Sequence, residues 1–279
     1  MKLPIRSTVI AVFSLLSSLL PVSQTAHAQD DLNSAAAVAA PVVFQAAGPN
    51  AASIQSTVDQ FRAALGVVNN ASNPGPLTSG RREINWDGGN PAITDTTPPV
   101  TPFTGFVNTR GAQFTTPGVG LSQATPAGLA VLFNNPTYAN IFATFSPSRL
   151  FTPVHSNVTN ALFSVPGTNG AAAATVTGFG AVFTDVDEQG RLRVEQGGKT
   201  EKAGTQIKYF DRAGKQLFSS FVPASPGDGS LSFFGIIFND ARIASVRIRT
   251  DSVPGANDDR NHDIVMMDDF IYGEPQLLH

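Results

Sequence analysis

From Gly80 onward the apolar residues occur in short runs of Phe, Val, Ile and Thr, which are separated by Gly, Pro, Asn and Asp. This pattern is typical of short strands joined by turns. In residues 246–250 the apolar positions alternate with two arginines, which indicates a strand with one buried face. The pattern predicts strands over residues 82–86, 111–115, 129–133, 161–165, 175–184, 205–210, 217–222, 231–238, 243–250 and 264–272. We therefore expect an all-β fold, a jelly-roll-like antiparallel β-sandwich spanning residues 67–279.

A helical periodicity precedes these runs. Apolar side chains recur there every three or four residues, at Ile54, Val58, Phe61 and Leu65. This spacing predicts one short amphipathic helix over residues 51–66, with Ser53 as its N-cap and Gly66 at its end. Because so short a helix is marginal by itself, we expect it to dock on the sandwich.

The first 28 residues have the features of a signal peptide. Lys2 and Arg6 precede an apolar run over residues 9–20, and the small residues Ala26 and Ala28 form a cleavage site. The run is shorter than the roughly 20 residues of a membrane span, and no later stretch is apolar enough for one. We expect cleavage after Ala28, a secreted or periplasmic product, and a flexible Ala-rich leader over residues 29–50.

The charge balance excludes one class of partner. The chain has 18 basic and 21 acidic residues, a net charge of −3 and no basic cluster, so it is not expected to bind nucleic acid. It contains no cysteine, so no disulfide can hold the fold. The four histidines are too scattered for a zinc motif, and no complete catalytic motif occurs. Twenty phenylalanines suit an apolar core instead.

Acidic residues are concentrated in the last third of the chain. Asp185 and Asp187 precede Gly190, and Glu195 and Gln196 follow, which partly resembles a calcium-binding loop. The match is incomplete, since an amide occupies the position of the bidentate Glu. The alternative is a polar hairpin loop whose acids are solvated.

A second acidic group comprises Asp258, Asp259, Asp263, Asp268 and Asp269. Adjacent strand residues point to opposite faces, so we expect one of Asp268 and Asp269 to be buried. A buried carboxylate needs a cation or several donors. Asp269 could complete a structural calcium site with Asp185 and Asp187. The alternative is an ion pair with Arg242, Arg247 or Arg260.

The single tryptophan supports two interpretations. Trp86 lies between Asn85 and Asp87, and an exposed indole flanked by an amide and a carboxylate could stack on a sugar ring and bind its hydroxyl groups. These three residues are therefore candidate glycan ligands. The alternative is a buried indole whose N–H group donates to a carbonyl.

Five segments of the sequence resemble segments of a known group of proteins. They occupy residues 80–88, 114–118, 145–151, 178–187 and 267–275. The chain resembles secreted bacterial proteins of undetermined function, related to the ectodomains of proteins with a PEP-CTERM sorting anchor. The resemblance implies a lectin-like or jelly-roll sandwich and no particular reaction. The sorting anchor itself is not expected, because only Gln-Leu-Leu-His follows Pro275.

These observations favour an exported, non-enzymatic protein that binds glycans or cell-surface material or belongs to an extracellular matrix, with Ca²⁺ as a candidate structural ion. One alternative is an extracellular hydrolase, such as a glycosidase, that uses two facing carboxyl groups. Another is a purely structural surface or biofilm component.

Overall fold

The computed structural model describes residues 40–88, 95, 97–194 and 200–278. The predicted signal peptide, most of the predicted leader, and the candidate ligands Glu195 and Gln196 lie outside these residues. The strands are β1 (Val42–Gly48), β2 (Arg81–Ile84), β3 (Ala112–Thr115), β4 (Gly120–Ala124), β5 (Leu150–Val154), β6 (Val158–Phe163), β7 (Ala174–Thr175), β8 (Gly178–Thr184), β9 (Gln189–Val194), β10 (Thr200–Gly204), β11 (Gln206–Phe210), β12 (Gln216–Phe221), β13 (Leu231–Ile237), β14 (Ser245–Arg249), β15 (Met266–Gly273) and β16 (Gln276–Leu277).

Two antiparallel sheets form the sandwich. The larger sheet has seven strands. Six of them follow the order β1-β13-β8-β15-β5-β4, and the seventh, β2, pairs with β15. The smaller has five strands in the order β12-β11-β14-β6-β3. Two short ribbons, β9 with β10 and β7 with β16, complete the pairing. The expectation of an all-β sandwich is therefore confirmed.

Aromatic side chains fill the space between the two sheets. The seven-stranded sheet contributes Phe151, Phe179 and Phe270, and the five-stranded sheet contributes Phe114 and Tyr209, all fully buried. Many of these rings meet edge to face, as Phe114 and Phe270 do at a centroid distance of 5.5 Å. A core of this kind needs few polar partners, which suits a chain without disulfides.

Helix α1 (Ala51–Leu65) covers the outer face of the seven-stranded sheet. Its buried residues Ile54, Val58 and Phe61 pack on Val182, Leu231, Phe233 and Ile271. The Phe61 ring lies against Gly180 of β8 and Gly235 of β13, which face each other across the pair of strands. A methyl group on either glycine would come within 3 Å of that ring. Glycine at these two positions therefore allows the helix to dock closely.

Among the described residues between β2 and β5, three shorter helices occur: α2 (Val107–Arg110), α3 (Pro126–Leu132) and α4 (Tyr138–Ile141). Helices α3 and α4 form a second apolar cluster with Leu150, Ile264 and Met266. The helices cover the outer face of the seven-stranded sheet, and the five-stranded sheet covers its inner face. This explains why every residue of β8 and β15 is buried.

Three local predictions need correction. Residues 129–133 are not a strand, because Thr125 caps α3 and Pro126 begins it. Part of the predicted flexible leader is strand β1, which is held by pairing with β13. The N-cap of α1 is Asn50, whose side chain accepts from the Ser53 N–H at 3.2 Å, so Ser53 is not the cap.

Among the described residues, no helix is long and apolar enough to cross a membrane.

Candidate cation-binding site

Three loops meet at one end of the sandwich because of the order of the strands. Thr184 ends β8, and its register partners are Leu231, which begins β13, and Met266, which begins β15. The loop after β8 therefore lies between the loop before β13 and the loop before β15. These loops carry Asp185, Asp187, Asp228, Asp258 and Asp263, which we call the carboxylate cluster.

Asp185 lies deepest in the carboxylate cluster. Only 1 % of its surface is exposed, and neither carboxylate oxygen has a hydrogen-bond partner. Its backbone is fixed, since its N–H group donates to the Ser230 carbonyl at 3.0 Å and its φ is +68°. A buried carboxylate without a donor is costly unless a proton or a cation neutralises it.

The other members hold the loops in place through backbone donors. Asp263 accepts from the N–H groups of Asp187 at 3.3 Å and Glu188 at 3.0 Å. Asp187 accepts from Gly227 at 2.8 Å, which joins the β8 loop to the β13 loop. Asp258 uses one oxygen in the same way, accepting from the N–H group of Ile264 at 2.9 Å. Asp187 and Asp258 each retain a second oxygen outside these bonds.

The pKa values show how strongly the site disfavours negative charge. Burial raises the pKa of Asp185 to about 8, and repulsion from Asp258, Asp187, Asp228 and Asp263 adds to this effect. Burial also raises the pKa of Asp263 to about 8 and that of Asp258 to about 6, although each accepts backbone N–H donors that lower it. The charged groups that act most strongly on Asp185 are carboxylates.

As placed, the carboxylate cluster is not a finished metal site. Within the described ranges, no group of three or more His, Asp or Glu side chains is arranged so that it could hold a metal ion. Mutual repulsion keeps unneutralised carboxylates apart. Asp187 and Asp258, whose charges act on Asp185, are only partly buried.

The prediction that Asp269 joins Asp185 and Asp187 is wrong. Asp269 lies within β15 and forms an ion pair at 3.1 Å with Arg62 of helix α1. Its other oxygen accepts from the Ser146 hydroxyl at 2.7 Å. The alternative was an ion pair, and Asp269 does form one. Its partner is Arg62 of the helix, however, and not Arg242, Arg247 or Arg260.

Asp268 and Asp269 also depart from strand alternation. The register of β15 against β8 shifts between Met267 and Phe270, and this irregularity places both carboxyl groups beside Ser146. Asp268 accepts from the Phe145 N–H at 2.6 Å. Burial and the adjacent carboxyl group raise the pKa of Asp268 well above its ordinary value. Both residues are buried, where the alternation predicted one.

Trp86 lies in the core, so the prediction that it stacks on a glycan is wrong. Its ring is fully buried and lies parallel to Phe151 at a centroid distance of 3.7 Å. The indole N–H donates to the Asp268 carbonyl at 3.1 Å. This is the alternative that the sequence left open, a buried indole with a carbonyl partner.

Asn85 and Asp87 form a local network of hydrogen bonds, and their predicted contact with a glycan stays a prediction. The Asn85 amide donates to Asp87 at 2.9 Å. Asp87 in turn accepts from the N–H groups of Ser148 and Arg149. These bonds fix the turn that leads into β5.

Sequence reasoning found Asp185 and Asp187 but did not join Asp258, Asp263 or Asp228 to them. Asp258 and Asp263 were noted only as part of the second acidic group. Strand order could have joined them, because the loop that follows a central strand lies next to the loops that precede its two neighbours. That order is not readable from local patterns.

Comparison of the chain with models of protein families, with curated proteins and with solved structures found no match.

Proposed function

We propose that this chain is an exported, non-enzymatic β-sandwich protein that binds material at the cell exterior and is stabilised by a calcium ion in the carboxylate cluster. Export is supported by the signal peptide features of residues 1–28 and by the resemblance to secreted bacterial proteins. The absence of a complete catalytic motif in the sequence favours a binding role.

The observation that carries the calcium proposal is Asp185. It is buried, neither of its oxygens has a hydrogen-bond partner among the described residues, and the charged groups that act most strongly on it are acidic. Calcium accepts six to eight oxygen ligands in flexible geometry, including carboxylates, backbone carbonyls and water. Asp185 would supply two oxygens, and the second oxygens of Asp187 and Asp258 would close on the ion once it neutralises their repulsion.

Thermal unfolding of the mature chain with Ca²⁺ or with EDTA tests this proposal. A ligand that binds only the folded state adds about 2.7 kcal/mol when its concentration is 100 times its Kd. For a chain of this size we expect the melting temperature to rise by about 5–10 °C at that concentration. An equal melting temperature in Ca²⁺ and EDTA would contradict calcium binding.

The variant Asp185→Asn distinguishes calcium binding at the carboxylate cluster from a general effect of salt on the melting temperature. It removes the buried carboxyl group that must take up a proton or a cation on folding, so we expect a higher melting temperature than wild type in EDTA and no further rise with Ca²⁺. Asp240→Asn is the matched control, because Asp240 is exposed and paired with Arg242. That variant should keep the full calcium response, and a loss of response in both variants would rule out the carboxylate cluster as the site.

A further inference from the structure

The five-stranded sheet differs from the seven-stranded sheet in what covers it. Its inward side chains, such as Ile207, Val246 and Ile248, are buried in the core. The outward side chains between them, such as Lys208 and Arg247, are partly or fully exposed. The helices α1, α3 and α4 pack on the other sheet, and α2 reaches only the edge strand β3 of this one, so among the described residues no helix spans this outer face.

The outer face has an unusual charge for this chain. The five strands contain no Asp or Glu, although the chain as a whole has 21 acidic residues. They carry three cations, Lys208, Arg247 and Arg249, none of which forms an ion pair with another described residue. Lys208 lies directly opposite Arg247 in the register. Like charges at opposed positions destabilise a sheet, so their pairing favours a function for the charge.

A groove of about 380 Å³ crosses this face. Its lining includes Thr115, Asn160, Leu162, Phe210, Ser245 and Arg247. Arg247 donates through Nε to the Asn160 side chain at 2.9 Å, which orients the guanidinium and leaves its two terminal nitrogens unbonded. A fixed guanidinium fork binds a carboxylate through two parallel hydrogen bonds.

The remaining lining suits a sugar. The hydroxyl groups of Thr115 and Ser245 can donate to and accept from sugar hydroxyls, and the partly exposed Phe210 and Leu162 provide an apolar surface for a ring. Ligand sites of this size combine such apolar contacts with a few oriented polar groups.

We propose that the groove and its flanking cations bind an acidic polysaccharide, a chain of uronic acid units whose carboxylates contact Arg247 and Lys208. This inference rests on the proposed role as a binding protein but not on the calcium ion. An extended peptide would pair with a sheet edge, whereas this face offers only side chains. A second copy bound symmetrically by the same face would set like charges against each other.

Binding to immobilised polygalacturonate, with neutral dextran and poly-glutamate as comparison surfaces, tests the inference. We expect the mature wild-type chain, in EDTA and low salt, to bind polygalacturonate, to bind dextran not at all, and to bind poly-glutamate at least tenfold more weakly. Replacing Arg247 and Lys208 together by Gln should raise the Kd for polygalacturonate about tenfold or more. Asn160→Asp places a carboxylate in the groove without changing its shape and should have a similar effect.

Arg242→Gln is the matched control, because this arginine lies outside the five strands and is already paired with Asp240. It should leave the affinity unchanged. The inference is overturned if wild type does not bind polygalacturonate, if it binds poly-glutamate equally well, or if the control loses as much affinity as the double variant. Because EDTA removes calcium, these results are independent of the melting experiment, and either proposal can fail alone.

Discussion

At the scale of single residues, Asp268 and Asp269 form an unfavourable arrangement of charge outside the carboxylate cluster. Both are buried on one side of β15, where Arg62 faces Asp269 and where Glu83 and Asp87 add further negative charge. Burial raises the pKa of both groups, and that of Asp268 by more. The folded state therefore holds a proton on this pair at a pH at which the unfolded chain has released it.

This arrangement makes stability depend on pH in a defined direction. A carboxyl group whose pKa is raised by folding lowers stability as pH rises above about 4, the ordinary pKa of Asp. Asp268→Asn removes the titration and keeps an oxygen for the Phe145 N–H. We expect the variant to gain stability relative to wild type as pH rises from 4.5 to 7.5, by at most about 1.4 kcal/mol per pH unit. Urea unfolding in EDTA at several pH values measures the difference.

Gly88→Ala serves as the control, because it changes no ionisable group and its added methyl has no neighbour within 4 Å, and its difference from wild type should stay constant across the same range. Parallel stability curves for wild type and Asp268→Asn would show that the pair does not share a proton.

The sequence could not have predicted this pair correctly. Alternation along a strand is a local rule, and it assigned Asp268 and Asp269 to opposite faces. The shift in register that places them together depends on β8, which lies more than 80 residues earlier. For Trp86 the local sequence allowed both burial and exposure, and only the surrounding phenylalanines decide between them.

At the scale of elements, the close approach of α1 to its sheet depends on two glycines, Gly180 and Gly235, which have no side chain. The helix itself was predictable, because the spacing of Ile54, Val58 and Phe61 is a local property. Its docking position was not predictable, because Gly180 and Gly235 form a joint contact site for the Phe61 ring only when β8 and β13 pair. Residues 129–133 were misassigned because a short apolar run fits either a strand or a helix. The sequence Thr125-Pro126 was the signal that favours a helix.

Gly180→Ala tests the role of this contact. The added methyl group would lie 2.8 Å from the Phe233 ring and 2.9 Å from the Phe61 ring. Overpacking of this kind costs about 1–3 kcal/mol of unfolding free energy. Urea unfolding should show that loss.

Gly88→Ala is the matched control, since a methyl group there has no neighbour within 4 Å and the backbone has no positive φ. Its unfolding free energy should stay within about 0.5 kcal/mol of wild type. Equal losses in the two variants would mean that the glycines act through backbone freedom and not through the helix contact.

At the scale of the whole molecule, the sandwich class was predictable and the sheet order was not. Short apolar runs separated by turn residues are local signals, and most of the predicted strands occur within a few residues of the expected bounds. Strand β1 is not predicted because its short Val-Val-Phe run lies at the end of an Ala-rich segment, and pairing with β13 stabilises it. The site depends on strand order, which explains why only two of its five carboxyl groups were assigned to it.

Export can be tested on the full chain expressed in a bacterial host. We expect the secreted or periplasmic product to begin at Gln29, which intact mass measurement would show. A bulky residue at the cleavage site, as in Ala28→Phe, should block processing and leave the chain with its first 28 residues. A mature product that retains residues 1–28, or one processed equally well in the variant, would contradict the predicted cleavage site.

The position of β15 has a consequence for how the protein is made. It is the last long strand of the chain, yet it lies inside the larger sheet, with β8 on one side and β5 and β2 on the other. During synthesis the two halves of that sheet have no partner between them until residue 273 has left the ribosome. We therefore expect the larger sheet to close only after β15 has been synthesised, so the chain cannot complete its fold before its last residues are made.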